Sequence, residues 1–260
     1  MDKKYIDRYK KAAIDAAYKA GNCIRRSVGR IEKISFKGDT NLVTDVDKKS
    51  ESIILKMIQR RFPDHGILSE ETPPKREGAS HKWIIDPLDG TTNFAHSFPI
   101  FSVSIALEID GEMACGVVYD PMRDELFYAQ KGRGAFLNKR RLHVSMTGKL
   151  KDSLLVTGFA YDNSIKIKNL APFKTFLSKA RGIRRTGSAA IDLSYVASGR
   201  FDGFWEFDLK PWDSAAGELI VREALGCVTT FNGTPHLPYD KEILASNTLI
   251  HKEMISTLKM

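Results

Sequence analysis

Two aspartates within the dozen residues Trp83–Phe94 are the side chains of this sequence best suited to chemistry. Asp86 and Asp89 lie three positions apart, with the backbone carbonyl of Leu88 between them. Hard divalent cations such as Mg²⁺ prefer an all-oxygen ligand set of this kind. Three residues typical of turns and helix starts follow directly: Gly90, Thr91 and Thr92. Because free N–H groups at a helix N-terminus bind anions, a candidate phosphate site adjoins the candidate metal site.

A short D-x-x-D-G sequence also has a simpler interpretation, in which Asp86 caps a turn and Asp89 begins an ordinary loop. The complete stretch, however, resembles the signature W-[IV]-[IV]-D-P-[IL]-D-G-T-x-N-[FY] of the inositol monophosphatase family, and all twelve positions match. Members of that family are Mg²⁺-dependent, lithium-sensitive phosphatases. The resemblance therefore implies a hydrolase that cleaves phosphate monoesters.

Three further acidic residues lie in segments similar to other motifs of the family. Glu70 lies in L-S-E-E, Asp213 in P-W-D-S-A-A-G and Asp47 in N-L-V-T-D-V-D. Taken alone, an acidic residue at a helix start is a common partner of the helix dipole. The resemblance implies that Glu70 and Asp213 bind metal, with Glu71 in support, and that Asp47 and Thr91 orient a water.

The resemblance thus implies a site that holds two to three Mg²⁺ ions. The implied metal ligands are Glu70, Asp86, Leu88 (through its carbonyl), Asp89 and Asp213. The implied catalytic residues are Asp47, Glu70 and Thr91. The residues implied to bind phosphate or the rest of the substrate are Asp89, Gly90, Thr91, Thr92, Gly187, Ser188, Ala189, Glu206 and Asp213. Zinc is not predicted, because the histidines and cysteines show no ligand spacing.

The choice of substrate rests on the second half of the chain. Glu206 lies where the family has a glutamate that accepts hydrogen bonds from inositol hydroxyls, which favours inositol 1-phosphate. Relatives that hydrolyse fructose 1,6-bisphosphate have nearly the same metal core, so that substrate, or dual activity, remains the alternative. Three basic residues could then bind a second phosphate: Arg184, Arg185 and Lys210.

Charge leaves open an alternative of a different class, a moonlighting interaction protein. The net charge is +8 and the pI is about 9.3, which permits contact with nucleic acid or the transcription machinery, as in some bacterial relatives. No nucleic-acid-binding module is recognisable. Catalysis is the preferred hypothesis, because clustered carboxylates are costly to keep together without a cation.

Composition indicates an ordinary globular protein. Of the 260 residues, 42% are hydrophobic and 28% charged, and no apolar run approaches the roughly 20 residues of a membrane span. The N-terminus lacks the apolar core of a signal peptide, so we expect a cytoplasmic protein that does not contact membranes. Three widely spaced cysteines predict reduced thiols: Cys23, Cys115 and Cys227.

Hydrophobic periodicity predicts the elements that must position these residues. In the first half we expect helices over 2–28 and 45–61, a turn at 37–39, and extended segments at 41–44 and 66–68. A short buried strand should lead into the aspartate stretch, and antiparallel strands should follow over 101–109, 114–120, 125–130 and 134–137. In the second half we expect strands at 154–157, 182–185, 203–208, 227–229 and 243–245, helices at 165–180, 188–198 and 211–224, and a terminal helix.

The order of these elements predicts the fold class. Residues 1–150 read as an α+β half with an antiparallel meander and the main metal site. Residues 151–260 read as an α/β half that contributes the substrate pocket and one metal ligand, and together they form one compact unit. The resemblance implies the layered α-β-α-β-α sandwich of the inositol monophosphatase and fructose-1,6-bisphosphatase type, usually a homodimer.

Overall fold

The computed structural model describes residues 3–31, 33–37 and 41–259. The helices are α1 (Lys3–Ser27), α2 (Asp45–Arg61), α3 (Thr91–Ala95), α4 (Asn163–Lys168), α5 (Leu170–Lys179), α6 (Ala189–Ala197), α7 (Pro211–Glu223) and α8 (His251–Leu258). The strands of the first half are β1 (Ile34–Lys37), β2 (Asn41–Thr44), β3 (Gly66–Ser69), β4 (His81–Asp89), β5 (Ser102–Ile109), β6 (Glu112–Asp120), β7 (Glu125–Gln130), β8 (Gly134–Leu137) and β9 (Arg140–Arg141). Those of the second half are β10 (Leu154–Thr157), β11 (Gly182–Arg184), β12 (Gly203–Phe207), β13 (Cys227–Thr229) and β14 (Glu242–Ser246).

A seven-stranded sheet with the order β3-β4-β5-β6-β7-β8-β9 forms the first half. β3 runs parallel to β4, and the remaining neighbours are antiparallel, so the predicted meander is confirmed. Alternate side chains enter different cores, as the period of a strand requires. Trp83 and Ile85 of β4 pack towards α1 and α2, whereas Ile84 packs into the core around α6 and α7.

A five-stranded sheet with the order β11-β10-β12-β14-β13 forms the second half. β10 is parallel to both β11 and β12, and β14 is antiparallel to its two neighbours. Helices connect the parallel strands, as such crossovers require. The predicted alternation of strands and helices is confirmed, while the division of the chain at residue 150 stays a prediction.

The helices and the two sheets stack in five layers. α1 and α2 cover the outer face of the seven-stranded sheet, α6 and α7 lie between the sheets, and α5 and α8 lie against the five-stranded sheet. Three apolar cores fill the spaces between these layers. The expected α-β-α-β-α sandwich is therefore confirmed.

Small residues bring the inner helix α7 close to the seven-stranded sheet. A Cβ atom added to Gly116 of β6 would lie 2.8 Å from the backbone oxygen of Ala216, and one added to Gly217 would lie 2.6 Å from Leu193 of α6. Larger side chains at these positions would push α7 away from its neighbours. This packing fixes the N-terminal turn of α7, which carries Asp213.

Several sequence predictions need correction. The single helix predicted over 165–180 is wrong, because α4 and α5 are separate helices with Asn169 between them. The Asn169 side chain is buried, donates to the carbonyl of Gly158 at 2.7 Å and accepts from Nε1 of Trp205 at 2.7 Å, which ties this point of the chain to β10 and β12. Strands β1 and β9 were not predicted. The predicted turn at 37–39 falls largely outside the described residues.

Within the described ranges, none of the helices has the length and apolar character needed to cross a bilayer. Cys23, Cys115 and Cys227 are all free thiols, as predicted.

Candidate active site

The turn between β4 and α3 builds the centre of the site. The pairing of β4 with β5 is regular up to Asp86 and shifts register before Asp89, since Pro87 in between has no N–H to donate. The N–H of Leu88 turns back to Oδ1 of Asp86 at 3.0 Å. Gly90 then adopts a φ of +92°, and a Cβ there would lie 3.0 Å from the carbonyl oxygen of Ile100. Only glycine satisfies both conditions.

A cleft of about 610 Å³, including its open mouth, lies at this turn and is lined from both halves of the chain. The predicted residues that line it are Glu70, Asp86, Leu88, Asp89, Gly90, Thr91, Gly187, Ser188, Ala189, Glu206 and Asp213. Asp47 and Thr92 are not among the lining residues. The fold thus brings all five predicted metal ligands to one cleft, although they come from segments far apart in the sequence.

The carboxylates of the cleft repel one another. Burial, followed by the charges of Glu70, Asp89 and Asp213, raises the pKa of Asp86 well above its usual range. Burial raises the pKa of Asp89 to about 6, against the lowering effect of the Ser188 hydroxyl. Burial and the charge of Asp89 likewise raise the pKa of Asp213. A bound cation would reverse this repulsion and favour the ionised carboxylates.

Hydrogen bonds hold one oxygen of each aspartate and orient the carboxylate. Oδ2 of Asp89 accepts from the Ser188 hydroxyl and from the N–H of Ala190 at 2.9 Å, both at the start of α6. Oδ2 of Asp213 accepts from the N–H of Lys210 at 2.7 Å, which also caps α7. Such bonds fix the direction of a ligand before a metal binds.

The donor set fits a hard cation. It consists of carboxylate oxygens and one carbonyl, the chemistry that suits Mg²⁺ rather than zinc. Among the described residues, no three His, Cys, Asp or Glu side chains are grouped closely enough to hold a metal as they stand. The carboxylates of the cleft would therefore move together around an ion, as expected of groups that repel each other without one.

Asp47 does not line the cleft but contacts Thr91, which does. The Thr91 hydroxyl lies 2.8 Å from Oδ1 of Asp47 and 3.0 Å from the Leu88 carbonyl. Asp47 is fully buried, and its Oδ2 accepts from the N–H and hydroxyl of Thr44, where it also forms the capping box of α2. Burial raises the pKa of Asp47. The predicted pair of Asp47 and Thr91 is in contact, with Thr91 on the cleft side.

The cleft also holds a second group of polar residues around Glu206. Glu206 and Asp192 are buried, and burial together with the charge of Asp192 raises the pKa of Glu206. A Cβ on Gly158 would lie 2.1 Å from Oε1 of Glu206, so a larger residue there would displace this carboxylate. Oδ1 of Asp192 accepts from the Thr186 hydroxyl. These carboxylates are suited to accept hydrogen bonds from hydroxyl groups.

Part of the lining of the cleft was not predicted from the sequence. The unpredicted residues are Gly158, Tyr161, Asp192 and Leu209. Arg185, which also lines the cleft, was predicted only as a residue that could bind a second phosphate. Asp192 lies on a helix and Tyr161 in a loop, without a local motif that would single them out. Of the other predicted residues, Thr92 lies 3.3 Å from the Tyr161 hydroxyl. Lys210 borders an adjoining cavity and pairs with Asp208.

The comparison with family models decides the classification. The model of the inositol monophosphatase family matches residues 6–259, which is nearly the whole chain. The chain belongs to the inositol monophosphatase family. It is therefore an enzyme, a phosphoric monoester hydrolase, and the resemblance found in the sequence motifs is confirmed.

Curated and solved relatives of this phosphatase cover almost its entire length. It is 48% identical over 249 residues to an inositol-1-monophosphatase from Synechocystis sp., covering 95% of this chain and 87% of that protein. It is 45% identical to the Nus factor SuhB of Pseudomonas aeruginosa, covering 95% and 94%. The crystal structure of the extragenic suppressor protein SuhB from Bartonella henselae superimposes with a TM-score of 0.92 at 42% identity, covering 96% and 97%.

Proposed function

We propose that this phosphatase hydrolyses inositol 1-phosphate in a Mg²⁺-dependent reaction that releases inositol and phosphate. The observation that carries the proposal is the convergence of four acidic side chains and one carbonyl on a single cleft. They are Glu70, Asp86, Asp89, Asp213 and the carbonyl of Leu88. The name of the Synechocystis relative supports the choice of substrate.

These residues would hold two to three Mg²⁺ ions. Glu70, Asp86 and the Leu88 carbonyl would ligate one, and Asp86 would share a second with Asp89 and Asp213. Bound there, Mg²⁺ supplies a Lewis acid that neutralises phosphate charge and lowers the pKa of a bound water. The hydrogen bonds donated by the N–H groups of Leu88, Ala190 and Lys210 orient three of these carboxylates, which would then close around the ions.

Thr91 and Asp47 would orient the attacking water. Because the Thr91 hydroxyl donates its only proton towards Asp47 Oδ1, its oxygen can accept a proton from a water in the cleft. The raised pKa of Asp47 makes this carboxylate a better proton acceptor at the end of that chain. The backbone N–H groups of Gly90 and Thr91, at the start of α3, would bind the phosphate oxygens.

Glu206 would bind the alcohol part of the substrate. It is buried in the lining of the same cleft, together with Asp192, and both are acceptors for hydroxyl groups. A polyol with several hydroxyls satisfies such acceptors, whereas an apolar leaving group would leave them unpaired. This arrangement supports a polyhydroxylated substrate such as inositol.

Phosphate release from a substrate panel tests the proposal. The panel contains inositol 1-phosphate, fructose 1,6-bisphosphate, histidinol phosphate and 3′-phosphoadenosine 5′-phosphate, with and without Mg²⁺ and Li⁺. We expect Mg²⁺-dependent release that favours inositol 1-phosphate, is inhibited by Li⁺ and is nearly abolished in Asp89→Asn. Wild-type turnover by Asp89→Asn in the presence of Mg²⁺ would refute the assigned metal site.

Fructose 1,6-bisphosphate is the closest alternative substrate. Arg185 lines the cleft and Lys210 lies beside it, so each could contact a second phosphate. If this sugar bisphosphate is the preferred substrate, it should be cleaved faster than inositol 1-phosphate. Arg185→Ala should then slow the bisphosphate reaction selectively.

A second candidate function is binding to the transcription machinery. It is supported by the relative named Nus factor SuhB and by the net charge of +8. Such binding would be separate from catalysis and would survive Asp89→Asn. A pull-down of transcription proteins or RNA with the wild type and with Asp89→Asn tests it, and equal absence of binding would exclude it.

A further inference from the structure

Helix α2 reaches three separate segments of the active site with three side chains on one face. Asp47, Ser50 and Glu51 are spaced i, i+3 and i+4, so they lie side by side on the helix. All three are buried, and Ser50 is fully so. Asp47 already has a proposed role through Thr91, but the other two have none.

Ser50 contacts the strand end that carries two of the proposed metal ligands. Its hydroxyl donates to the carbonyl of Pro87 at 2.7 Å. Pro87 lies between Asp86 and Leu88, at the point where the pairing of β4 becomes irregular. Since the irregular segment lacks regular ladder bonds, the Ser50 bond is one of the contacts that fix its backbone.

Glu51 contacts both sides of the proposed ligand Glu70. Its Oε1 accepts from the hydroxyl of Ser69 and, at 3.3 Å, from the hydroxyl of Thr72. Ser69 ends β3, immediately before Glu70, and Thr72 follows two residues after Glu70. The carboxylate therefore closes the turn that presents Glu70 to the cleft.

We propose that Ser50 and Glu51 are positioning residues that make α2 a common support for the metal-binding segments. The face of α2 that carries these residues thereby sets the distance between Glu70 and the end of β4, which are proposed to bind the same ion. Asp47 lies on the same face, so the helix also fixes the position of the Asp47–Thr91 pair relative to these segments. This inference rests on the proposed function, because it presupposes the metal site.

Binding of Mg²⁺ alone, measured by isothermal titration calorimetry, tests the proposal. Ser50→Ala and Ser69→Ala each remove one hydroxyl from this support and leave every proposed ligand in place. We expect each to weaken Mg²⁺ binding by about tenfold, the lower end of the effect of outer partners of metal ligands. The Mg²⁺ concentration for half-maximal phosphate release should rise in parallel, while turnover at saturating Mg²⁺ stays close to that of the wild type.

Ser153→Ala is the matched control. Ser153 is also a fully buried serine, and its hydroxyl donates to a backbone carbonyl, that of Lys149 at 2.9 Å, but neither residue lines the cleft or contacts a proposed ligand. It should lose stability to a similar extent and keep the wild-type affinity for Mg²⁺. If Ser50 contributes only to stability, Ser50→Ala should lower the Tm measured without Mg²⁺ and leave the affinity for Mg²⁺ unchanged.

The outcomes separate this inference from the proposed function. Wild-type Mg²⁺ affinity in both Ser50→Ala and Ser69→Ala, with normal binding by the unmodified protein, would overturn the inference alone. Failure of the unmodified protein to bind Mg²⁺ would overturn the proposed metal site, and the inference with it. If Ser50→Ala does not fold, Ser69→Ala and its Mg²⁺ titration decide the question.

Discussion

Replacing Thr91 by valine isolates the proposed handling of the attacking water. Valine keeps the shape of threonine but removes the hydroxyl that links the cleft to Asp47 at 2.8 Å. It replaces none of the proposed metal ligands, and its one other change is the loss of the 3.0 Å contact with the Leu88 carbonyl. Asp47 keeps its bonds from the N–H and hydroxyl of Thr44 at 2.8 and 2.5 Å, so the carboxylate stays anchored.

The size of the effect follows from these contacts. A hydrogen bond to a charged group is worth about 1.5–3 kcal/mol, and we expect the low end because Thr44 still holds Asp47. For a chain of this size, a loss of about 1.5 kcal/mol lowers Tm by roughly 3–6 °C. Loss of positioned proton transfer lowers the turnover number by about 10²–10⁴-fold. The effect on activity should therefore far exceed the effect on folding.

The assay is phosphate release at saturating Mg²⁺, with Tm measured on the same samples. Thr91→Ser keeps the hydroxyl and should retain most of the activity. Thr257→Val is a matched control, since Thr257 is buried in α8 and its hydroxyl donates to the carbonyl of Glu253 at 2.9 Å. Turnover by Thr91→Val within a fewfold of the wild type would refute the role of the Thr91 hydroxyl.

Two further predictions concern stability. Gly116→Ala should lower Tm and weaken Mg²⁺ binding, because the new Cβ would lie 2.8 Å from the backbone of Ala216 and displace α7. Unchanged Mg²⁺ binding in a variant whose crystal structure shows α7 displaced would contradict this prediction. His251 has its pKa lowered by burial to about 4, so its neutral form stabilises the fold above about pH 6.5, and that stability is lost as pH falls. Between pH 7.5 and 5, the loss of unfolding free energy in urea should be about 1–2 kcal/mol larger in the wild type than in His251→Asn. His65, whose pKa is also lowered to about 4, titrates in both proteins, so an equal loss in the two would contradict the role of His251.

The sequence predicted the elements of the site better than its surroundings. The stretch around Asp86 and Asp89 combines an apolar strand, a proline, a glycine and helix-start residues within a dozen positions, so local rules sufficed there. The bounds of α2 were also predicted correctly, because apolar residues recur at helical spacing and Pro63 lies just beyond the end of the helix. In the structure, Thr44 and Asp47 form a capping box at its start. Local chemistry of this kind does not depend on the rest of the fold.

The missed features depend on contacts between distant segments. Asn169 interrupts a helical pattern because its side chain binds Gly158 and Trp205, which no local spacing reveals. Asp192 enters the cleft only because α6 lies between the two sheets. The role of Ser50 likewise emerges only when α2 packs against β4. Tertiary contacts decided each of these cases, and the periodicity of one segment does not encode them.

A crystal structure of the protein grown with Mn²⁺, which replaces Mg²⁺ and scatters anomalously, tests directly whether the proposed ligands hold the metal ions. We expect two to three anomalous peaks in the cleft. They should be coordinated by oxygens of Glu70, Asp86, Asp89, Asp213 and the Leu88 carbonyl, with these side chains drawn closer together than in the metal-free protein. A protein that hydrolyses phosphate esters under the same conditions, yet binds Mn²⁺ elsewhere or not at all, would contradict it.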